Sequence, residues 1–321
     1  MTNKRAYAPP FILNNEILFL VADISEQLGQ LSAEQHTQQA QQILELRKVN
    51  KVRSIQGSLA IEGNNLSEDQ ITAILDGKRV IAPMREVQEA SNALAVYETF
   101  DTLQYNKEAA LLSAHKALML GLIDSAGQYR HSGVGVIKNS KVIHMAPPAD
   151  LVPRLMNDLF AWLKKADDHL LIKSCVFHYE FEFIHPFADG NGRMGRLWQT
   201  LILIQHHPVF AYLPVESLVS KHQEEYYQAI AKSTQASNSA PFIVFMLSMI
   251  KKSLTELQTN QLFNLENYLQ SSPQESPQVT PQVEQLLKVM RLVSENVGEK
   301  ESENSFSSKT FKREQLQTLL G

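Results

Sequence analysis

Residues 184–196 read IHPFADGNGRMGR, and nearly every side chain there bears on phosphate chemistry. His185 carries an imidazole whose ordinary pKa lies near neutrality, suited to taking a proton from an attacking hydroxyl. Asp189 is a hard oxygen ligand of the kind a Mg²⁺ ion on a polyphosphate uses. Gly190-Asn191-Gly192 lets successive backbone N–H groups turn inward and leads into a helix, whose orphan donors and positive dipole end favour an anion. Arg193 and Arg196 lie one helical turn apart. Their forked guanidinium groups fit phosphate oxygens, and two of them suggest more than one phosphate. An interhelical turn with surface arginines accounts for each residue singly, but not for the set.

The flanking sequence places the stretch between two helices. Ile172, Cys175, Val176, Tyr179 and Phe183 mark one face of a helix, and Pro186 disfavours helical geometry at His185, so that helix ends with His185 near its tip. Leu197, Leu201 and Ile204 restart a stripe beyond the loop. Most of the remaining chain is written in the same period. Ile17, Leu20, Val21, Ile24 and Leu28 form a stripe that Gly29 should end, and a second helix runs from about 43 to about Ala60. After a turn at Glu62-Gly63-Asn64-Asn65, Ser67 to Gln70 has the form of a capping box opening a helix to Leu75 that stops at Gly77. Further helices are expected at 86–104, 107–119, 151–165, 169–184, 194–206, 220–233 and 240–257.

One segment is different. Val134–Ile137, a polar turn at Lys138-Asn139-Ser140, and Lys141–Met145 read as a small β-hairpin closed by Pro147-Pro148. On a helical body its edges are free to pair with another chain. From about residue 270 the tetrapeptides SPQE, SPQV and TPQV follow one another, and their prolines indicate a semi-extended linker before short helices at about 283–293 and 311–320.

The 321 residues allow about two domains, and the 44% hydrophobic and 20% charged shares are ordinary for a globular protein. A net charge of −4 gives no electrostatic case for nucleic acid as the main partner. The lone cysteine, Cys175, excludes an intramolecular disulfide and lies in an apolar run, which suggests a packing thiol in a reducing compartment. With no cleavable signal pattern, and an apolar run at Ile17–Ala22 too short to span a bilayer, a cytoplasmic location and no membrane contact are expected.

His-Pro-Phe-x-Asp-Gly-Asn-Gly-Arg-x-x-Arg, complete at His185–Arg196, resembles the signature of Fic-domain proteins. Tyr7–Leu28 is similar to that family's N-terminal extension, 128–148 to its flap and 276–287 to the entry of its C-terminal winged-helix appendage. The resemblance implies a mainly α fold: a Fic-type helical core with a small β-hairpin flap and a short α-rich C-terminal appendage. It divides the chain into an N-terminal helical region 1–105 carrying an inhibitory motif, a catalytic core 106–258, a helix end and Pro/Gln/Ser linker 259–282, and a partial winged-helix-like appendage 283–321.

Such proteins transfer AMP from ATP to a Tyr, Thr or Ser hydroxyl of a target protein. The resemblance makes His185 the base, Asp189 the holder of Mg²⁺, Asn191 and the glycine-loop amides the support of the phosphates, Arg196 the grip on the γ-phosphate and Arg193 a helper. It extends the ATP-binding set to Glu62, Val142, Ile143, His144, Met145, Gly190, Gly192, Met194 and Gly195, with Tyr226 and Tyr227 lining the adenine. Thr234 stands where the family often has asparagine. The related Doc branch has lysine at the position of Gly192 and transfers phosphate, so glycine favours nucleotidyl transfer.

Ser58-Leu59-Ala60-Ile61-Glu62-Gly63-Asn64 resembles the family's inhibitory motif, with Ser58 and Glu62 as its marked residues. A carboxylate imitates phosphate, so Glu62 can occupy the place of the γ-phosphate on Arg196. The flap would hold the target by strand addition. Self-modification and a homodimer remain open, as do removal of AMP with Glu62 orienting a water, and a DNA-binding regulator in which the core is a sensor.

Overall fold

The computed structural model describes residues 7–35, 40–138 and 141–271. Eleven α-helices are assigned over them: α1 (Asn15–Gln35), α2 (Ala40–Ile61), α3 (Glu68–Leu75), α4 (Met84–Tyr97), α5 (Glu108–Leu118), α6 (Val152–Lys165), α7 (Leu170–Ile184), α8 (Asn191–Ile204), α9 (Val215–Lys221), α10 (Gln223–Ala236) and α11 (Ala240–Ser271). Between α5 and α6, β1 (Gly135–Lys138) and β2 (Lys141–Met145) pair antiparallel, with Gly135 opposite Met145, Ile137 opposite Val142 and a bulge after Val136. The chain divides into two units, Met1–Gln261 and Leu262–Gly321. The linker expected at 272–282 and the appendage at 283–321 lie outside the described residues.

In the first unit, α7 is the central element. Its sequence LLIKSCVFHYEFEFI is apolar on nearly every side, and residues from Leu171 to Phe181 are all buried. The stripe seen in the sequence was therefore one face of a helix enclosed all round. It packs against α6 and α8, while α2 packs against α4, α8 and α9. Helices from both sides of residue 105 contribute to one core, including Ile55, Leu59 and Ala93 with Phe177, Trp198 and Leu201. Cys175 sits fully buried in it, and burial pushes its thiol up to about 12, which removes it as a nucleophile at neutral pH.

Local signals explain both ends of α3. Ser67 accepts from the Gln70 backbone N–H at 3.2 Å, and the Gln70 side chain accepts from the Ser67 N–H at 2.9 Å, completing the capping box. Gly77 takes φ +71 after α3, as a left-handed helix stop requires. Four expectations change. Gly29 does not end α1, which continues to Gln35; glycine weakens a helix but does not forbid one. The helix expected over 86–104 stops at Tyr97 and yields to a 3-10 turn at Phe100–Thr102. The span 220–233 divides at His222 into the end of α9 and α10, and α11 runs well past residue 257.

Candidate active site

The site is built where α7 ends and α8 begins. His185 caps α7 in the left-handed region, φ 49, its N–H donating to the Phe181 carbonyl at 2.9 Å. Such a conformation costs a non-glycine residue on the order of 1–3 kcal/mol and persists only where neighbours impose it. Arg130 is the neighbour. Buried beneath the tip, it donates from Nε to the His185 carbonyl (2.8 Å) and from Nη2 to those of Ile184 (3.2 Å) and Pro147 (2.6 Å). Nη1 donates to the Ser132 carbonyl at 2.9 Å. One guanidinium thus satisfies the last two carbonyls at the α7 end and fixes His185 relative to both ends of the β1–β2 segment.

The loop that follows is stapled from within. Asn191 accepts from the Phe187 N–H and donates to the Phe187 carbonyl, both at 2.9 Å. Below it, His115 stacks on Phe187 with centroids 3.6 Å apart. Its Nδ1 accepts from the Gly127 N–H at 2.8 Å, which assigns the proton of the neutral ring to Nε2, donating to the Asp189 carbonyl at 3.0 Å. Burial lowers the His115 pKa to about 4, so the ring stays neutral and this arrangement holds at physiological pH. Gly190, φ +84, leads into α8, whose first N–H groups face the loop.

Two charge clusters sit on that helix start. In the outer one, the half-exposed Asp189 pairs with Arg193 of α8 and Arg85 of α4, each at 3.2 Å. Glu89 of α4 pairs with the same two arginines at 3.3 Å and 3.6 Å. In the inner one, Arg196 is only 2% exposed and donates from Nη2 to Glu62 Oε1 at 2.6 Å. It also donates to Ser58 Oγ (3.1 Å) and to the Ser58 carbonyl (3.0 Å). Burial pulls the pKa of this guanidinium down, but the facing Glu62 carboxylate outweighs that and raises it above the ordinary arginine value.

A cavity opens beside the inner cluster. It is lined by Glu62, Glu182, Phe183, His185, Gly192, Arg196, Tyr226, Tyr227, Ile230, Ala231 and Thr234. Any side chain on Gly192 would run into the Glu62 carboxylate, so glycine there is a condition of the Glu62–Arg196 contact. Glu182, an i,i+3 neighbour of His185, approaches it to 3.9 Å. Burial raises the Glu182 pKa to about 8, against Arg196, which lowers it, and with Glu62, which raises it; its carboxyl is therefore mostly protonated at neutral pH.

The cavity brings together His185, expected as the base, with Glu62, Gly192, Arg196, Tyr226 and Tyr227 from the expected ATP-binding set. Tyr226 is buried, with its hydroxyl 3.1 Å from His178 Nε2 and its ring edge-on to Tyr227 at 5.3 Å. Ser58 reaches the site through Arg196, and Asp189 and Arg193 stand at the outer cluster. Met194 is not at the cavity. It is fully buried in the core, because two residues along a helix from Arg196 is roughly the opposite face. The Asn191 side chain is spent on closing the loop, leaving its backbone N–H toward the helix mouth. Gly190 packs on Met119 and His115, and Gly195 gives room to Glu182 and His178. Val142, Ile143, His144 and Met145 lie in β2, and Met145 is 70% exposed.

Arg85, Glu89, His115, Arg130 and Glu182 were not foreseen. Only Glu182 had a local signal, its spacing three before His185 on one helix face. Among the described residues no group of three or more His, Cys, Asp or Glu is placed to hold a metal. Asp189 offers a single carboxylate, so a Mg²⁺ ion here would draw its other ligands from phosphate and water, its usual habit at nucleotide sites.

This geometry agrees with what the chain resembles. The sequence profile of the Fic/DOC family matches residues 105–203. A solved Fic family protein from Desulfovibrio desulfuricans G20 is 42% identical, covering 98% of this chain and 86% of that one, with a TM-score of 0.74. The chain belongs to the Fic family. A probable protein adenylyltransferase of Aquifex aeolicus is 29% identical over 200 residues, covering 61% of this chain and 58% of that protein. The protein adenylyltransferase Fic of Aedes aegypti is 28% identical over 217 residues, covering 63% and 41%. The Fic chain thus spans about half the length of these two relatives. Fic-1 of C. elegans, at 20% identity and a TM-score of 0.63, shares the fold. No helix among the described residues is long and apolar enough to cross a membrane.

Proposed function

We propose that this Fic protein transfers AMP from ATP to a Tyr, Thr or Ser hydroxyl of a target protein, and that Glu62 restrains it. The observation carrying the reading is the 2.6 Å Glu62–Arg196 ion pair in the wall of the cavity that also exposes His185. A buried arginine held by one carboxylate is a phosphate site filled from within. In the active state Arg196 grips the γ-phosphate in place of Glu62, and Arg193 with the first N–H groups of α8 supports the other phosphates. His185 takes the proton of the attacking hydroxyl as that oxygen closes on the α-phosphorus in line, and pyrophosphate leaves. Tyr226 and Tyr227 flank the adenine.

Asp189, exchanging Arg85 and Arg193 for the ion, would hold Mg²⁺ against the phosphates, where it neutralises polyphosphate charge. The β1–β2 segment presents the target backbone by adding a strand. In this arrangement residues 1–105 carry the restraint and 106–258 the catalytic machinery.

Labelled ATP tests the reaction class. Label on the α-phosphate should appear on protein and label on the γ-phosphate should not. The opposite result makes this a phosphotransferase and refutes the reading, while loss of AMP from pre-labelled protein on adding the enzyme would make AMP removal its activity.

A further inference from the structure

Resting on the reading of Glu62 as a restraint, we infer that Asn64 and Glu89 form the dock that holds Glu62 on Arg196, and so set how strongly the enzyme is restrained. Glu62 stands just past the last residue of α2. The Glu62, Gly63 and Asn64 N–H groups close that end onto Leu59 and Ala60 carbonyls, at 3.0, 3.0 and 3.1 Å. Gly63 turns at φ +87 with open space around it. A helix end of this kind frays unless something outside the helix holds it.

The hold comes from α4. Asn64, 6% exposed, donates from Nδ2 to the Glu86 carbonyl (3.2 Å) and to Glu89 Oε2 (3.0 Å), while its Oδ1 accepts from the Leu66 N–H (3.1 Å). The next residue adds a bond from the Asn65 N–H to Glu86 Oε2 at 2.9 Å. Glu89 keeps its other oxygen, Oε1, on Arg85 and on Arg193. A single, largely buried carboxylate therefore joins the turn behind Glu62 to the start of the glycine-loop helix.

Its consequence is positional. Glu62 reaches Arg196 through a flexible side chain that is 34% exposed, and ordering such a chain costs entropy. With Asn64 anchored, the carboxylate starts from a fixed origin. With Asn64 loose, the same ion pair must also bear the cost of ordering the turn. Asn64 and Glu89 touch neither substrate nor reacting atoms in this scheme and are positioning residues for Glu62.

The test compares AMP transfer by the full chain in wild type, Glu62→Gly, Asn64→Ala, Asn64→Asp and the combination Asn64→Asp with Glu89→Gln. Asn64→Ala should raise the rate several-fold, up to roughly tenfold, the equivalent of about 1.4 kcal/mol. Asn64→Asp keeps the acceptor for Leu66 but sets like charges together, and should raise it at least as much. Adding Glu89→Gln to Asn64→Asp restores a donor–acceptor pair with the roles exchanged and should bring both the rate and the amide exchange at 62–66 back toward wild type; the return of amide protection distinguishes restored docking from damage to Arg193, which Glu89 also holds. In a Glu62→Gly background, Asn64→Asp should add nothing further, and amide exchange at 62–66 should rise in the single Asn64 variants. If Glu62→Gly is fast while both Asn64 variants stay at the wild-type rate, or if the combination rescues nothing, the dock is wrong and the restraint stands. If Glu62→Gly itself is no faster than wild type, the restraint is refuted and the dock with it.

Discussion

Replacing Glu62 by glycine should convert a slow enzyme into a fast one, and the contacts bound how fast. The carboxylate makes one charge-assisted hydrogen bond, 2.6 Å to a guanidinium that is 2% exposed, while being itself 34% exposed. Bonds of this class are worth about 1.5–3 kcal/mol, and partial exposure favours the lower part of that range, about 1.5–2.5 kcal/mol. Arg196 keeps Ser58 Oγ and the Ser58 carbonyl when Glu62 is gone, so its side chain stays in place, now as a buried cation with no anion facing it. If ATP has only to displace this bond, activity should rise roughly ten- to seventyfold. If ATP already binds with its α-phosphate misaligned, correcting about an ångström gives a gain nearer a hundredfold. Auto-modification and labelling of lysate proteins at fixed ATP measure the rate, and calorimetry of ATP binding separates the two cases. Affinity rises with rate in the first and stays level in the second. Glu62→Gln, which keeps the shape without the charge, should fall between wild type and Glu62→Gly. Adding Arg196→Ala to Glu62→Gly should return activity to a low level. An unaltered rate in Glu62→Gly, or full activity in the double variant, refutes the reasoning.

Three further outcomes follow from the same geometry. His185→Ala in the Glu62→Gly background should lose transfer by on the order of a hundredfold or more while ATP affinity is retained, since a general base acts on chemistry and not on binding; wild-type transfer would remove His185 from the mechanism. Excess EDTA, or Asp189→Ala, should abolish most activity, and full activity in EDTA would rule out a divalent ion. Stability should peak close to neutrality. Glu182, raised to about 8, binds its proton more tightly folded than unfolded, so its contribution is lost as pH climbs from the ordinary glutamate range through about 8. The buried His178, lowered to about 3, and His115, lowered to about 4, do the reverse: their contribution is complete above the ordinary histidine range and is lost as pH falls, at up to about 1.4 kcal/mol per unit each. Thermal melts across pH should lose the alkaline decline in Glu182→Gln and part of the acid decline in His178→Gln, and unaltered profiles would refute these assignments.

The residues legible in the sequence were those whose partners are near in the chain. His185, Asp189, Arg193 and Arg196 fall within one loop and one helical turn, and the capping box at Ser67 is four residues long, so spacing alone placed them. Burial on all sides of α7 was not legible, because a stripe identifies a face and cannot say what covers the others. The Glu62–Arg196 pair spans 134 positions and was reached through resemblance to a family motif, not through any local pattern. Arg85, Glu89, His115 and Arg130 left no signal at all. Each is a polar residue on an ordinary helix or loop, and it acquires its role only when tertiary packing carries it under the α7–α8 loop. Met194 shows the converse: proximity in sequence to two arginines says nothing about which face of α8 a side chain occupies, and this one lies in the core.

The inner cluster also explains why two carboxylates can stand near one arginine without competing for it. Glu182 and Glu62 both influence Arg196, yet the geometry gives the hydrogen bond to Glu62 alone. Burial keeps Glu182 largely protonated, so the site holds one buried positive charge and one partly exposed negative one. Gly195 lets Glu182 pack close to α8, and Gly192 lets Glu62 reach Arg196. A side chain at either place would disturb that balance, in the first case by moving a neutral acid and in the second by expelling the anion. When Glu62 leaves, the arginine is a buried cation without its partner, and a buried cation demands an anion. On the proposed reading, the pull on an external phosphate has the same physical origin as the restraint, and a charge-neutral replacement of Arg196 should weaken both together.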